Sequence, residues 1–312
     1  MSKKIVNVAS VPQRSPFRYP GGKTWLVPHL RAWLRSLRRK PECFIEPFVG
    51  GGIIGLTVAF EDLAAHVFVV ELDEDVAAVW KTLLDGNAAW LASRIVEFEV
   101  THESVRAALS QTASSLRERA FQTILKNRVY HGGIMAHGSG LIKFGEKGKG
   151  LMSRWYPNTL KNRILNIGEL QNKITFFQSD GMEVLRANAH RSDAVYFLDP
   201  PYTAAGKKAG ARLYKYNELN HEELFRLTAT LKGDFLMTYD NAKGVLDLAH
   251  RHGFDTEAIS MKNTHHAKMT ELLIGRNLDW FRSMIQSETE QPFLFPVSEK
   301  TTDPHFEKHP GT

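Results

Sequence analysis

The sequence predicts a doubly wound α/β fold built on a mostly parallel sheet, with one region inserted into it. Short apolar segments bounded by polar, Gly or Pro residues alternate with helical patterns in two parts of the chain. That alternation is typical of a parallel sheet with helices on both faces, and it stops between residues 85 and 171. We therefore predict an α/β domain over residues 14–84 and 172–285, an insertion over 85–171 and a tail over 286–312.

The strands are predicted from apolar segments of four to six residues, and the helices from apolar residues with helical spacing. The predicted strands are Cys43–Glu46, His66–Glu71, Lys173–Phe177, Ala194–Leu198, Asp234–Tyr239 and Glu271–Ile274. The predicted helices between them cover residues 53–60, 74–84, 181–188, 221–232 and 242–252.

The insertion is predicted to be mainly helical. Helical patterns cover residues 87–97, 102–111 and 115–130, and another begins after Pro157; a Gly-rich segment over 131–140 and a predicted β-hairpin over 141–150 lie between them. Residues 126–163 contain eight Lys or Arg residues and one acidic residue. Such an excess of positive charge is typical of a surface that contacts phosphate groups. A basic surface that faces only solvent is the alternative.

Composition limits the class of protein. Of the 312 residues, 43% are hydrophobic, which is enough for the core of a large domain. The single cysteine, Cys43, is interpreted as a buried thiol, in keeping with a reducing cytoplasm. We expect a cytoplasmic protein with no membrane contact, because no apolar segment has the length of a transmembrane helix and the N-terminus lacks the apolar part of a secretory signal. The acidic tail over 286–312 is predicted to be disordered.

A Gly-rich segment follows the first predicted strand. It runs from Glu46 through Phe48, Gly50 and Gly52 into the apolar helix over 53–60. Glycines let the backbone approach a ligand closely, and the N-terminus of a helix presents N–H groups to an anion. In a Rossmann-like sheet a nucleotide binds at this point. The alternative is a simple tight turn.

An acidic residue ends the second predicted strand, about 20 residues further along. Glu71 in this position can accept hydrogen bonds from both hydroxyls of a ribose, and Asp73 is the second candidate. Capping of the next helix is the alternative role. The two motifs together predict a nucleotide-like cofactor, and a dinucleotide dehydrogenase fits them as well as other nucleotide-binding enzymes do.

A third motif, Asp199-Pro200-Pro201-Tyr202, comes directly after the predicted strand Ala194–Leu198. Its two prolines fix the backbone and remove two N–H donors. The Asp199 carboxylate and the Pro200 carbonyl are then neighbouring acceptors that match the two N–H donors of an amino group on a flat base, and the Tyr202 ring can stack on that base. A turn is the alternative, since Asp-Pro pairs are common in turns. The motif predicts chemistry at a planar amino group.

The order of these motifs resembles that of the Dam-type (D12 class, α group) DNA adenine-N6 methyltransferases through most of residues 16–280. Only the third motif is specific for this family by itself. The others support the resemblance because they occur in the same order as in the family. Two positions depart from the family pattern: Glu71 stands where Asp is usual, and Tyr19-Pro20 replace a more usual Trp-Ala pair. The matching segments are Phe17–Lys23, Glu46–Gly52, Val70–Asp73, Ser179–Gly181, Asp199–Tyr202, Met237–Asn241 and Thr270–Ile274.

The resemblance implies a Rossmann-like class I methyltransferase fold, in the cytoplasm of a prokaryote or of a phage-infected cell. It implies S-adenosyl-L-methionine as cofactor, S-adenosyl-L-homocysteine as product, and direct methyl transfer to N6 of an adenine flipped out of duplex DNA. Asp199, Pro200 and Tyr202 would contact the base, and the insertion would be the target-recognition domain. The implied cofactor-binding residues are Tyr19, Lys23, Glu46, Phe48, Gly50, Gly52, Glu71, Asp180 and Asp199.

The expected partner is double-stranded DNA, bound by a monomer, with a dimer on DNA as the alternative. The candidate DNA-contacting residues are Arg18, implied by the resemblance, and Lys126, Arg128, Tyr130, Lys143 and Arg154, chosen from the basic insertion. No metal site is predicted, since His265-His266 has no further ligands at metal-binding spacing. Four alternatives stay open: methylation of adenine N6 in RNA, methylation of cytosine N4 in DNA, a DNA-binding antirestriction decoy without catalysis, and a dinucleotide dehydrogenase.

Overall fold

The computed structural model of the chain describes residues 10–18, 22–133, 139–145, 148–201, 219–262 and 268–290. Within them, seven strands form one sheet in the order β3-β2-β1-β4-β5-β7-β6. The first five strands of that order pair in parallel, and β7 pairs antiparallel with both β5 and β6. The strands are β1 Cys43–Glu46, β2 His66–Glu71, β3 Ile174–Gln178, β4 Ala194–Leu198, β5 Asp234–Asp240, β6 Asp255–Lys262 and β7 Lys268–Gly275.

Helices cover both faces of this sheet, so the prediction of a doubly wound, mostly parallel sheet is confirmed. The described helices are α1 Val27–Ser36, α2 Ile53–Phe60, α3 Glu74–Leu84, α4 Ala88–Glu97, α5 His102–Ser110, α6 Leu116–Val129, α7 Pro157–Gly168, α8 Gly181–Asn188, α9 His221–Thr230, α10 Lys243–Arg251 and α11 Asp279–Glu290. Successive side chains of a strand point to opposite faces, and in β4 Phe197 joins one core cluster while Tyr196 and Leu198 join the other.

The two core clusters have different helical partners. One contains apolar residues of α1, α2, α3 and α11, together with residues of the helices between positions 88 and 168, such as Leu91, Phe121 and Ile164. The other contains residues of α8, α9 and α10, such as Leu185, Phe225 and Val245. The helices of the predicted insertion therefore pack into the same continuous core as one face of the sheet.

Most predicted strands and α-helices agree with the structure to within two residues, but one strand and two α-helices of the described residues were not predicted. Strand β6 and helices α1 and α11 are present where the sequence analysis assigned nothing. Strand β6 lies at the edge of the sheet, and between Asp255 and Ser260 only Ile259 is buried. An edge strand needs few apolar residues, so it carries little of the signal that marks a buried strand.

The predicted β-hairpin over 141–150 is wrong for the residues that the structure describes there. Tyr130 and Leu141 form a single antiparallel bridge, and the chain then turns at Gly145, Gly148 and Gly150, whose φ angles are 64°, 72° and 54°. Backbone with positive φ leaves the extended region that a strand requires. The described residues between 141 and 149 therefore form a loop, which is followed by a short 3-10 helix, Gly150–Arg154.

The predicted tail begins too early. Helix α11 runs through residues 286–290, because Leu278 and Phe281 at its start are buried in the core and Arg282 pairs with Asp255 and Glu257 on β6. Residues 291–312 of the predicted tail lie outside the described residues. No helix in the described part of the chain is long and apolar enough to cross a membrane.

Candidate active site

Four predicted site carboxylates lie at one edge of the sheet. Glu46 and Glu71 end β1 and β2, and Asp180 and Asp199 follow β3 and β4. These four strands are neighbours and run in parallel, so their C-terminal ends meet. The order of the strands reverses between β1 and β4, and such a reversal is where open α/β sheets bind ligands.

The Gly-rich segment between β1 and α2 depends on two glycines with positive φ. Gly50 and Gly52 have φ angles of 46° and 66°. A Cβ atom on Gly52 would lie 2.4 Å from the Trp80 ring, and the Trp80 indole N–H donates to the Gly50 carbonyl at 3.1 Å. The backbone of this loop is therefore held against α3, in a path that other residues would strain.

Glu71 holds the same loop from the end of β2. Its Oε2 accepts from the Gly50 N–H at 3.1 Å, and its Oε1 accepts from the N–H groups of Leu72 and Asp73, each at 2.9 Å. Burial raises the pKa of Glu71 to about 7. Asp73, the second candidate for the ribose position, accepts from the N–H groups of Asp75 and Val76 at the start of α3.

Glu46 is a buried carboxyl beneath the Gly-rich loop. Its Oε2 accepts from the Gly55 N–H at 2.8 Å. Burial, with a further contribution from the Asp199 charge, raises the pKa of Glu46 well above its ordinary value. Burying a carboxylate is costly unless a cation or several donors face it. The Glu46 site is therefore suited to a positively charged ligand group.

Among the described residues, donors from two different parts of the chain hold Asp199. Thr238 Oγ1 on β5 donates to Asp199 Oδ1 at 2.8 Å, and Lys23 Nζ lies 3.1 Å from the same oxygen. Lys23 is 3% exposed and also lies 3.4 Å from Glu271 Oε2 on β7. These contacts orient the Asp199 carboxylate, of which 22% is exposed, at the end of β4.

Thr238 and Glu271 were not among the predicted site residues. Each is a polar residue in an apolar strand: Thr238 follows Phe235-Leu-Met237, and Glu271 precedes Leu272-Leu-Ile274. A buried polar residue usually has a specific partner, so this pattern is the signal that could have identified them.

The remaining predicted cofactor residues are placed as follows. Phe48 is partly buried, and its ring would lie 3.0 Å from a Cβ atom on Gly181. Asp180 is exposed and caps α8 by accepting from the Met182 N–H at 2.8 Å. Tyr19 and the predicted catalytic residue Tyr202 lie outside the described residues. Pro200 is buried directly after Asp199.

The segment that contains Arg18 is attached to the insertion through Asn127. The Asn127 side chain accepts from the Arg18 N–H at 2.9 Å and donates to the Arg18 carbonyl at 3.0 Å and to the Gly133 carbonyl at 2.9 Å. Asn127 is fully buried on α6. Helix α6 therefore holds the backbone of the segment that ends at Arg18.

The predicted DNA-contacting residues fall into two groups. Lys143 is exposed, Arg154 is partly exposed, and the Lys126 ammonium lies 5.5 Å from the centre of the Tyr130 ring. Arg128, by contrast, is 4% exposed and donates to the Pro16 carbonyl. Burial, together with the charges of Arg163, Arg18 and Arg154, lowers the pKa of Arg128 to about 9.

The described residues contain no group of three or more His, Cys, Asp or Glu side chains that could hold a metal ion. His265-His266 lies outside the described residues. Cys43 is buried on β1, and burial raises the pKa of its thiol to about 11, which keeps the thiol in its unreactive, protonated form.

Comparisons with known proteins place the chain in a family. Similar solved structures include a candidate RNA methyltransferase from Pyrococcus horikoshii, with 12% identity over 87% of this chain and 91% of that chain at a TM-score of 0.36. They also include the rRNA methyltransferase AviRa from Streptomyces viridochromogenes, with 15% identity over 89% and 93% of the two chains at a TM-score of 0.37. No curated protein matches the chain. The family model of the D12 class N6 adenine-specific DNA methyltransferases matches residues 19–262, and the chain therefore belongs to this family.

Proposed function

We propose that this enzyme transfers a methyl group from S-adenosyl-L-methionine to N6 of an adenine that has been flipped out of duplex DNA. The observation that carries the proposal is the position of Asp199. Its carboxylate lies at the C-terminal end of β4, before two prolines, and is oriented by Thr238 and Lys23. A hydrogen-bond acceptor that is already oriented can engage an amino group with little reorganisation.

The edge of the sheet fits S-adenosyl-L-methionine, which carries an ammonium group, a sulfonium group and two ribose hydroxyls. The buried Glu46 carboxyl would gain from a bound cation, because burial disfavours its charged form in the absence of one. Glu71 lies at the end of the adjacent strand, next to the glycine loop. When bound, the cofactor supplies an electrophilic methyl group. The residues that would hold it are Tyr19, Lys23, Glu46, Phe48, Gly50, Gly52, Glu71, Asp180 and Asp199.

On the side of the base, Asp199 and the Pro200 carbonyl would accept the two N–H hydrogen bonds of the adenine amino group, and Tyr202 would stack on the ring. These hydrogen bonds direct the N6 lone pair toward the methyl donor, so alignment provides much of the rate enhancement. N6 must also lose one proton as its new bond to carbon forms, and the Asp199 carboxylate would receive it. The base must first leave the stack, which costs a few kcal/mol.

The region over residues 85–171 would carry target recognition, and its candidate contacts with DNA are Lys126, Tyr130, Lys143 and Arg154. Arg18, in the N-terminal segment, is a further candidate. Arg128 is left out of this set. Its guanidinium is buried against the Pro16 carbonyl, so it could reach a phosphate only if the surrounding chain moved.

The proposal is tested with labelled S-adenosyl-L-methionine and duplex DNA. The wild-type enzyme should form N6-methyladenine, and Asp199→Ala should abolish the reaction. Asp193→Ala is the matched control, because Asp193 pairs with Arg191 just before β4, at the opposite end of that strand from Asp199.

Each alternative has its own outcome in this assay. Label on cytosine or preferentially on RNA would identify one of the other amino-group substrates. DNA binding without any transfer would identify a decoy, and tight NAD binding without binding of S-adenosyl-L-methionine would identify a dehydrogenase. Full activity of Asp199→Ala would contradict the role given to the carboxylate.

A further inference from the structure

We infer that Glu271 is a positioning residue for methyl transfer: it shares the Lys23 ammonium with Asp199, limits how closely Lys23 approaches Asp199, and thereby keeps the Asp199 carboxylate in its reactive orientation. The inference rests on the proposed function and adds to it a residue on the antiparallel strand β7. Glu271 is not expected to touch either the cofactor or the base, because it acts on Asp199 through Lys23.

The register of the sheet explains why Glu271 lies there. Strand β7 pairs antiparallel with β5, so that Glu271 lies opposite Asp240 and Leu273 lies opposite Thr238. Residues two apart on a strand share a face, as do residues opposite each other on paired strands. Glu271 and Thr238 are therefore diagonal neighbours on one face of the sheet, and both reach the same Lys23–Asp199 pair.

The partners of Lys23 differ in how deeply they lie. Lys23 is 3% exposed and Glu271 8% exposed, whereas Asp199 at the edge of the site is 22% exposed. An ammonium group loses most of its solvation at this depth and must be compensated by negative charge. Glu271 provides such charge from the interior, so Lys23 is shared between the two carboxylates and is not drawn fully onto Asp199.

This arrangement has a consequence for Asp199. The Lys23 ammonium lies between two carboxylates, 3.1 Å from that of Asp199 and 3.4 Å from that of Glu271. If the Glu271 charge is removed, the attraction of Lys23 to Asp199 is no longer opposed, and the ammonium moves toward Asp199 Oδ1. Asp199 then becomes a weaker and differently oriented acceptor for the adenine amino group. A displacement of about 1 Å at a reacting group can lower a rate by about 100-fold.

A double-mutant cycle tests this inference. Glu271→Gln removes the charge and keeps the shape, Lys23→Met removes the ammonium, and the double variant combines both. Glu257→Gln is the matched control, because Glu257 is a carboxylate on the neighbouring strand β6 that pairs with Arg282. Three quantities are measured at pH 8, where Glu271 is ionised although burial raises its pKa to about 7: the single-turnover rate of adenine methylation, the Kd for S-adenosyl-L-methionine and the Tm.

We expect Glu271→Gln to lower the rate about 10-fold or more, while the Kd changes less than about 3-fold and Glu257→Gln behaves as wild type. In the Lys23→Met background, Glu271→Gln should cause no further loss, because its effect passes through Lys23. An unchanged rate in Glu271→Gln, or an equal loss in both backgrounds, would overturn the inference. A wild-type enzyme that does not methylate adenine would overturn the proposed function as well, so the two failures are distinguishable.

A second readout does not depend on activity. In protein labelled at the aspartate carboxyl carbons, the NMR signal of Asp199, assigned through Asp199→Asn, should shift in Glu271→Gln and stay in place in Glu257→Gln. This measurement decides the question if Lys23→Met leaves a rate too small to measure. An Asp199 signal that does not move in Glu271→Gln would overturn the inference.

Discussion

Lys23 and Asp199 form an ion pair, 3.1 Å from Nζ to Oδ1, that joins the N-terminal segment of the chain to the end of β4. The segment that ends at Arg18 is held by α6 through Asn127, and Asp199 is held by β5 through Thr238. The carboxylate that is proposed to contact the base is thus oriented by side chains from elements far apart in sequence. The orientation of the Asp199 carboxylate therefore depends on contacts that form only when these elements are assembled in the folded chain.

The hydroxyl of Thr238 is the first contact whose removal can be predicted. Thr238→Val keeps the volume of the side chain and removes the donor to Asp199 Oδ1. A hydrogen bond to a charged group contributes about 1.5–3 kcal/mol, so we expect kcat to fall about 10-fold or more. The matched control is Thr228→Val, since Thr228 is equally buried and donates to the Leu224 carbonyl inside α9. Equal activity of both variants would contradict the prediction.

Two glycines with positive φ, Gly52 in the Gly-rich loop and Gly86 after α3, allow the cost of backbone strain to be separated from the cost of a steric clash. A Cβ atom on Gly86, at a φ of 79°, would have no atom within 4 Å of it, whereas a Cβ atom on Gly52, at a φ of 66°, would meet the Trp80 ring at 2.4 Å. Gly86→Ala should lower the free energy of unfolding by about 1–2 kcal/mol, the cost of the left-handed conformation. Gly52→Ala should cost more and should also weaken binding of S-adenosyl-L-methionine. Urea unfolding measures the loss of stability, and calorimetric titration measures the loss of binding. Equal losses of stability in the two variants would show that the Trp80 ring moves aside to accommodate the added Cβ atom.

Local patterns in the sequence were sufficient for much of this molecule. The buried strands were predicted because their apolar residues are contiguous, and the site motifs because the glycine loop and the segment after β4 are each continuous in sequence. Contacts across the sheet were not predictable in this way. Thr238 meets Asp199 from 39 residues away, and Glu271 reaches Lys23 only because β7 inserts between β5 and β6. Such contacts depend on strand order and register, which no single segment encodes.

The basic region over residues 126–163 shows a second limit of prediction from sequence. A count of charges treats Arg128 and Lys143 alike, yet Arg128 is buried and Lys143 is exposed. Arg128 is buried because it lies on the surface of α6 that faces the Pro16 segment, whereas Lys143 lies in the loop that follows. Net charge therefore located the basic region without showing which of its side chains face solvent.

The pKa of Glu271 leads to a prediction for stability. Burial raises this pKa from an ordinary value of 4.5 to about 7, Lys23 lowers it, and the charges of Asp199 and Asp240 raise it. Between these two pH values the folded protein holds a proton that the unfolded chain releases, so the free energy of unfolding falls as the pH rises from 4.5 to 7. The contribution of Glu271 is at most roughly 3 kcal/mol. Glu71, whose pKa is raised to about 7, acts in the same direction.

Urea unfolding of the ligand-free protein at pH 5, 6, 7 and 8 measures this slope. Glu271→Gln cannot titrate and should show a smaller fall in the free energy of unfolding over the same range. Parallel curves for wild type and Glu271→Gln would mean that Glu271 is already ionised at pH 5, against the expected shift.

Lys143 is the exposed basic residue on which the proposed DNA contact can be tested most cleanly. If it contacts a phosphate, Lys143→Ala should weaken binding to all duplex sequences alike and should reduce the salt dependence, d log K/d log [salt], by about 0.9. Lys40→Ala is the matched control, because Lys40 is exposed, pairs with Asp62 and precedes β1 at the opposite edge of the sheet. Fluorescence anisotropy at several salt concentrations measures both variants. A loss of affinity confined to one DNA sequence, with an unchanged salt slope, would instead indicate that Lys143 reads a base.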